Sequence, residues 1–170
     1  MNKLAIIIGI IILGGVVALV ARPHKQEQPA SVSGNKAAEF VVVDYDGKQV
    51  KLSDFAGRPV FINFWASWCP FCLEEMPLMA KIQQEFGDQY ATLAINRAER
   101  LDRAKQYSDQ VGVTGKIILV LDEDDSVYRQ FGYFAMPVSI FVDKDGIIRD
   151  VKQGPLSENE LRNKIKALLQ

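Results

Sequence analysis

Val60-Phe61-Ile62-Asn63-Phe64-Trp65-Ala66-Ser67-Trp68-Cys69-Pro70-Phe71-Cys72 is the stretch on which the reading of this chain turns. Val60 to Trp65 is apolar at every position except Asn63. A strand apolar on both faces is typical of a parallel sheet covered by helices. After Cys69 the period changes: Leu73, Met76, Met79 or Ala80, and Ile82 or Phe86 recur at helical spacing. A buried strand therefore passes through a short loop into two cysteines at the start of a helix.

That position has chemical consequences. The N–H groups of a helix's first turn lack partners and point toward its N-terminus. With the helix dipole they stabilise a thiolate placed there. Cys69, at the edge, gains most. Pro70 suits the first helical position, where a missing N–H costs nothing. Cys72 lies one turn in, as the more buried and less acidic thiol. This reading makes Cys69 the attacking sulfur and Cys72 the resolving one, cycling between dithiol and disulfide through a mixed disulfide with substrate.

Composition removes competing chemistries. The chain has 170 residues, two cysteines and one histidine. A tetrahedral zinc site wants four ligands, and His24 lies far from the cysteines in a polar tail, so no metal is expected. A disulfide-rich scaffold needs several bridges. A structural disulfide across so small a loop would stabilise little by chain entropy. A net charge of −1 offers no basic face for nucleic acid. No cofactor is implied, because the sulfur atoms themselves carry the electrons.

Working outward, Phe40 to Val43 and Gln49 to Leu52 flank Asp46-Gly47, a hairpin signal. Ser53-Asp54 and Gly57-Arg58-Pro59 read as loop. Ala91 to Ile95 is a second buried strand, and Glu99 to about Val111 a polar helix closed by Gly112. Lys116 to Leu121 is a short apolar run before the acidic turn Asp122 to Asp125. That turn lacks the spacing of a calcium loop and reads as solvated. Ser126 to Phe131 is a short helix ended by Gly132. Val138 to Val142 and Ile147 to Val151 pair across Asp145-Gly146. Ser157 to Leu169 is an amphipathic helix, with Ser157-x-x-Glu160 resembling a capping box. The class is α/β, a mixed sheet between two helix layers.

Leu4 to Ala21 is uncharged and almost wholly apolar. These roughly 18 residues reach about 27 Å as a helix, near the thickness of a bilayer's hydrocarbon core. The run is longer than the apolar part of a cleaved signal peptide and lacks an A-x-A site, so it reads as a retained anchor. Lys3 before it and Arg22 and Lys25 after it leave its orientation undecided by flanking charge. The expected organisation is a transmembrane signal-anchor at 1–21, a flexible linker at 22–38 and a folded domain at 39–170.

Asn63 to Cys72, followed by Glu75-Met76-Pro77, resembles the thioredoxin superfamily, and more narrowly its membrane-anchored TlpA/ResA-type branch. The likeness continues through Asp46-Gly47, Leu52-Ser53-Asp54-Phe55, Gly57-Arg58-Pro59, Phe131-Gly132, Met136-Pro137 and Phe141 to Gly146. It implies a thioredoxin-like three-layer α/β/α fold with an N-terminal β-hairpin. It implies that Pro77 kinks the active-site helix and that Pro137 is cis and faces the cysteines, with the backbone of Met136 pairing to a substrate strand. Asn63 stands where thioredoxins carry a buried aspartate. Asparagine cannot shuttle a proton, and the branch's acidic residue one turn past the second cysteine is Glu75, on the face of Cys72. Glu75 is therefore the expected proton acceptor. Trp68, Phe71 and Met136 would form an apolar patch for an extended substrate.

Two positions depart from the branch: Phe71 replaces its usual proline, and Met136 its usual threonine. The resemblance implies a monomeric reductant of exported thiol proteins, apocytochromes c among them. It would sit extracytoplasmically, on the periplasmic side of the cell membrane, and be recharged by a membrane thiol-transfer partner. A disulfide-forming oxidant of the same fold, a peroxidase and a redox-inert binding module are the competing readings.

Overall fold

The computed structural model describes residues 33–170. The expected membrane span, the first part of the linker and His24 lie outside the described residues. Among the described residues no helix is long and apolar enough to cross a membrane.

Seven strands form one sheet: β1 (Val41–Asp44), β2 (Gln49–Lys51), β3 (Val60–Trp65), β4 (Ala91–Arg97), β5 (Ile118–Asp122), β6 (Val138–Val142) and β7 (Ile148–Gln153). Among the described residues four α-helices accompany them: α1 (Pro70–Phe86), α2 (Leu101–Gln110), α3 (Ser126–Phe131) and α4 (Glu158–Leu168). The spatial order is β2-β1-β5-β4-β3-β6-β7. β4 runs parallel to β3 and β5, whereas β1, β6 and β7 join antiparallel. The mixed sheet follows from the connections: helical crossovers can return a strand in parallel, while tight turns at Asp46-Gly47 and Asp145-Gly146 can only reverse it.

β3 is buried at every position and so feeds both layers. Phe61 and Trp65 join a core with α1, α2 and α4, through Met76, Met79, Ala104, Leu161 and Ile165. Val60, Ile62 and Phe64 join the opposite core, with Val127, Tyr128 and Phe131 of α3. Phe61 stacks on Phe141 of β6 with centroids 4.9 Å apart, a geometry worth about 1 kcal/mol beyond the area it buries. The register pairs Phe64 with Val138. Pro137 is therefore level with Trp65, at the end of β3 from which the cysteine loop departs.

Several local expectations move. Ser53-Asp54 is not an open loop: Leu52–Phe55 is a turn of 3-10 helix, with the Asp54 carboxylate accepting the Lys51 N–H at 2.8 Å. α2 starts at Leu101 rather than Glu99, because Glu99 is committed to contacts with the cysteine loop. The end of the stretch read as tether is docked: Gly34 N–H donates to Ile148 O, Ile148 N–H to Asn35 O and Ala37 N–H to Gly146 O. The acidic turn is not simply solvated. Asp122 is buried and accepts the N–H groups of Val127 and Tyr128 at 3.1 and 2.9 Å, satisfying the first turn of α3. Asp125 pairs with Arg97 at 2.7 Å. The Ser157 hydroxyl accepts the Glu160 N–H at 3.3 Å, capping α4.

The Asp122 contacts predict a stability effect remote from the cysteines. Asp122→Ala should lower the unfolding free energy in urea by about 2 kcal/mol, the scale of a lost cap, and Asp122→Asn by less. A wild-type midpoint for Asp122→Ala would show that the carboxylate does not hold α3.

Candidate active site

Cys69 is the N-cap residue of α1 and Pro70 occupies its first position, as the sequence required. Cys69 and Cys72 are joined as a disulfide, with their Cα atoms 5.3 Å apart. The Cys72 N–H lies 3.3 Å from Cys69 Sγ and 3.1 Å from the Cys69 carbonyl oxygen, so a first-turn donor is shared between the outer sulfur and the backbone. No acidic side chain occupies that first turn to oppose a negative sulfur. Both cysteines are buried, while Trp68 and Phe71 beside them are each 57% exposed.

Glu75 is on the same helix, one turn beyond Cys72, and is only 2% exposed. Its Oε1 accepts from Asn63 Nδ2 at 3.1 Å and its Oε2 accepts the Leu156 N–H at 3.1 Å. The Ser139 hydroxyl lies 3.5 Å from Oε1 and accepts from Asn63 Nδ2 at 3.0 Å. Burial pushes the Glu75 pKa up to about 7, against the pull of the Leu156 N–H and the Ser139 hydroxyl. Glu160 nearby raises it further and Lys152 lowers it. Glu74 is exposed, which separates the two neighbouring carboxylates by environment alone.

The remaining expected residues fall as follows. Asn63 is buried in β3 and tied to Glu75. Pro77 lies inside α1. The Met136–Pro137 bond is cis. Pro137 is buried, and Met136 is half-buried against the core cluster that holds Cys69 and Cys72. Of the three residues expected to form an apolar patch, Trp68 and Phe71 are exposed and Met136 is half-buried.

Sequence reasoning missed a second set. Glu99 reaches the cysteine loop, accepting from Ser67 N–H at 2.8 Å, from Ser67 Oγ at 2.5 Å and from Asn96 Nδ2 at 2.8 Å. Arg103 Nε donates to Ser67 Oγ at 2.9 Å. Ser139, a lone hydroxyl in an otherwise apolar strand, was the one legible sign of a polar partner inside. Phe134, 99% exposed, carries no periodic signal. Among the described residues no cluster of three or more His, Cys, Asp or Glu side chains could hold a metal ion.

The profile of the family described as Redoxin matches residues 32–169. The chain belongs to that family. The thiol-disulfide oxidoreductase ResA of Geobacillus thermodenitrificans is 29% identical over 143 residues, covering 84% of this chain and 81% of the relative. The ResA of Halalkalibacterium halodurans is 32% identical over 127 residues, covering 74% and 71%. A solved structure of a putative thiol:disulfide interchange protein DsbE from Chlorobium tepidum superposes with a TM-score of 0.76 at 28% identity, covering 82% of this chain and 99% of that one. This Redoxin-family chain is thus a ResA-type member of the thioredoxin superfamily, and a thiol–disulfide oxidoreductase.

The buried carboxylate predicts how stability depends on pH. A carboxyl whose pKa is higher folded than unfolded binds its proton more tightly in the native state. Its penalty is absent below the ordinary value of 4.5 and complete once pH has passed about 7. Glu75→Gln removes that ionisation. In urea titrations the oxidised variant should gain about 3 kcal/mol on the wild type between pH 4.5 and pH 8. Parallel curves would show that Glu75 titrates like an exposed carboxylate.

Proposed function

We propose that this oxidoreductase reduces disulfides of exported proteins, apocytochromes c among them. In this reading Leu4 to Ala21 anchors it in the cell membrane, a flexible linker follows, and the domain works as a monomer on the periplasmic side. The observation that carries the proposal is Glu75, a buried carboxylate on the helical face of Cys72, with a pKa raised to about 7. A group that exchanges a proton near neutral pH is what the resolving step needs.

The Cys69 thiolate attacks one sulfur of the substrate disulfide. That S–S bond breaks, the departing substrate sulfur takes a proton, and Cys69 is left in a mixed disulfide. Cys72 gives its proton to Glu75 and attacks Cys69 Sγ. The mixed disulfide breaks, the second substrate sulfur leaves with a proton, and Cys69 and Cys72 are joined. Two electrons have passed from the dithiol to the substrate. A membrane thiol-transfer partner restores the dithiol by the reverse exchange, and no cofactor takes part.

Trp68 and Phe71 offer apolar surface to an extended substrate, with Met136 and cis-Pro137 on the neighbouring strand end as its second wall. The reductant direction is supported by the residue between Pro70 and Cys72. Phe71 brings no charge, so it adds nothing to the stabilisation that the helix N-terminus gives the thiolate. A strong oxidant needs a much more stabilised thiolate.

Cys72→Ala, expressed in the native host, should accumulate mixed disulfides on Cys69 that mass spectrometry identifies as exported proteins; an empty trap would remove the substrate assignment. In stopped-flow measurements with purified protein, decay of the mixed disulfide should accelerate as pH rises through about 7. Glu75→Gln should lose that limb and slow decay by about 10²-fold, the lower end of general acid–base contributions. A reduction potential near that of the strong oxidants of this fold would reverse the direction assigned here.

A further inference from the structure

The loop between α3 and β6, residues 132–137, carries Phe134 and Met136 directly before cis-Pro137. One side chain reaches into it from the core. Tyr128, in the middle of α3 and 2% exposed, donates its hydroxyl to the carbonyl of Ala135 at 2.7 Å. Ala135 immediately precedes Met136, so the bond fixes the loop beside the residues it displays.

The ring that makes this contact is itself immobilised from several sides. Phe64 of β3 meets it edge-on at 5.2 Å. The Arg97 guanidinium, at the end of β4, lies 3.6 Å over its face. That guanidinium is in turn held by both oxygens of Asp125, from Nε at 2.8 Å and from Nη2 at 2.7 Å. Asp122 satisfies the N–H of Tyr128 itself at 2.9 Å. A two-pronged arginine pair and a buried ring together leave the hydroxyl little freedom to swing. The phenol is raised further above its ordinary value by burial, so it stays a donor at any pH where the protein works.

Of the two apolar residues the loop holds up, Met136 is half-buried against the core and Phe134 is turned out to solvent. Phe134 is 99% exposed, and a fully solvated aromatic ring contributes nothing to folding. Two residues before Met136, its ring is open to contact with another molecule. We propose that Tyr128 is a positioning residue for protein substrates: it fixes loop 132–137, and through it the display of Phe134 and Met136, and so sets affinity for an extended polypeptide around the reacting disulfide. Tyr128 touches neither cysteine nor substrate. A small disulfide, which needs only access to Cys69, does not depend on it. The inference rests on the thiol–disulfide reading above.

The test compares two substrates of one enzyme. Full-length protein is assayed on insulin with dithiothreitol as the reductant, and, reduced beforehand and freed of dithiothreitol, in a single turnover on 5,5′-dithiobis(2-nitrobenzoic acid). Tyr128→Phe removes the hydroxyl and leaves the ring, the Phe64 contact and the Arg97 stacking. It should raise KM for insulin about fivefold, the factor that one hydrogen bond of ordinary net strength represents, with kcat and the small-disulfide rate unchanged. Amide hydrogen exchange across residues 133–136 should quicken. Arg97→Met, which lifts the guanidinium off the ring, should shift KM in the same direction. An unchanged insulin KM, or an equal loss on both substrates, overturns the positioning role. A wild-type protein inactive on both overturns the functional reading itself and this inference with it.

Discussion

A carboxylate shut away from water has to be solvated by the protein, and Glu75 imposes that requirement on four separate elements. α1 supplies the carboxylate, β3 the Asn63 amide, β6 the Ser139 hydroxyl and the approach to α4 the Leu156 N–H. These elements are distant in sequence and meet on one face of β3, the face that Phe61, Asn63 and Trp65 share. The donors present are enough to keep the group inside and too few to keep it fully ionised, so its pKa settles about 7. Chemistry and architecture meet there: the contacts that join the sheet to its helices also place a proton acceptor near neutrality.

Much of this was legible because burial writes a two-sided pattern. Val60 to Trp65, apolar with one polar interruption, announced a central strand, and the interruption at Asn63 turned out to be the polar partner of Glu75. Cys69, Pro70 and Cys72 read correctly because helix-start chemistry is local: cap, proline and first-turn donor fall within a few residues. Glu75 was singled out by the family resemblance, with helical spacing placing it on the face of Cys72.

The parts that were not legible are long-range polar contacts, which leave no periodic trace. Glu99 looked like the first residue of a helix. Its side chain instead crosses to Ser67, 32 positions earlier in the chain, and this delays α2 to Leu101. Asp122 looked like one acid among several in a solvated turn. It differs from Asp124 only in being the last residue of a buried strand, with α3's N–H groups in front of it. Tyr128 is a core aromatic, and its hydroxyl's partner, the Ala135 carbonyl, depends on where the loop before Pro137 returns. Chain entry shifted for a similar reason, since the backbone of Gly34 to Ala37 could be read as paired only once the 146–148 turn was in place.

That docked entry segment gives the domain two poles. Gly34 to Ala37 lie against residues 146–148, beyond the end of β6 that is level with Val60, where β3 begins. The sulfurs follow the other end of β3, whose six residues extend about 20 Å. A chain held from its entry segment therefore presents its reactive end outward, with the full height of the sheet as a stalk.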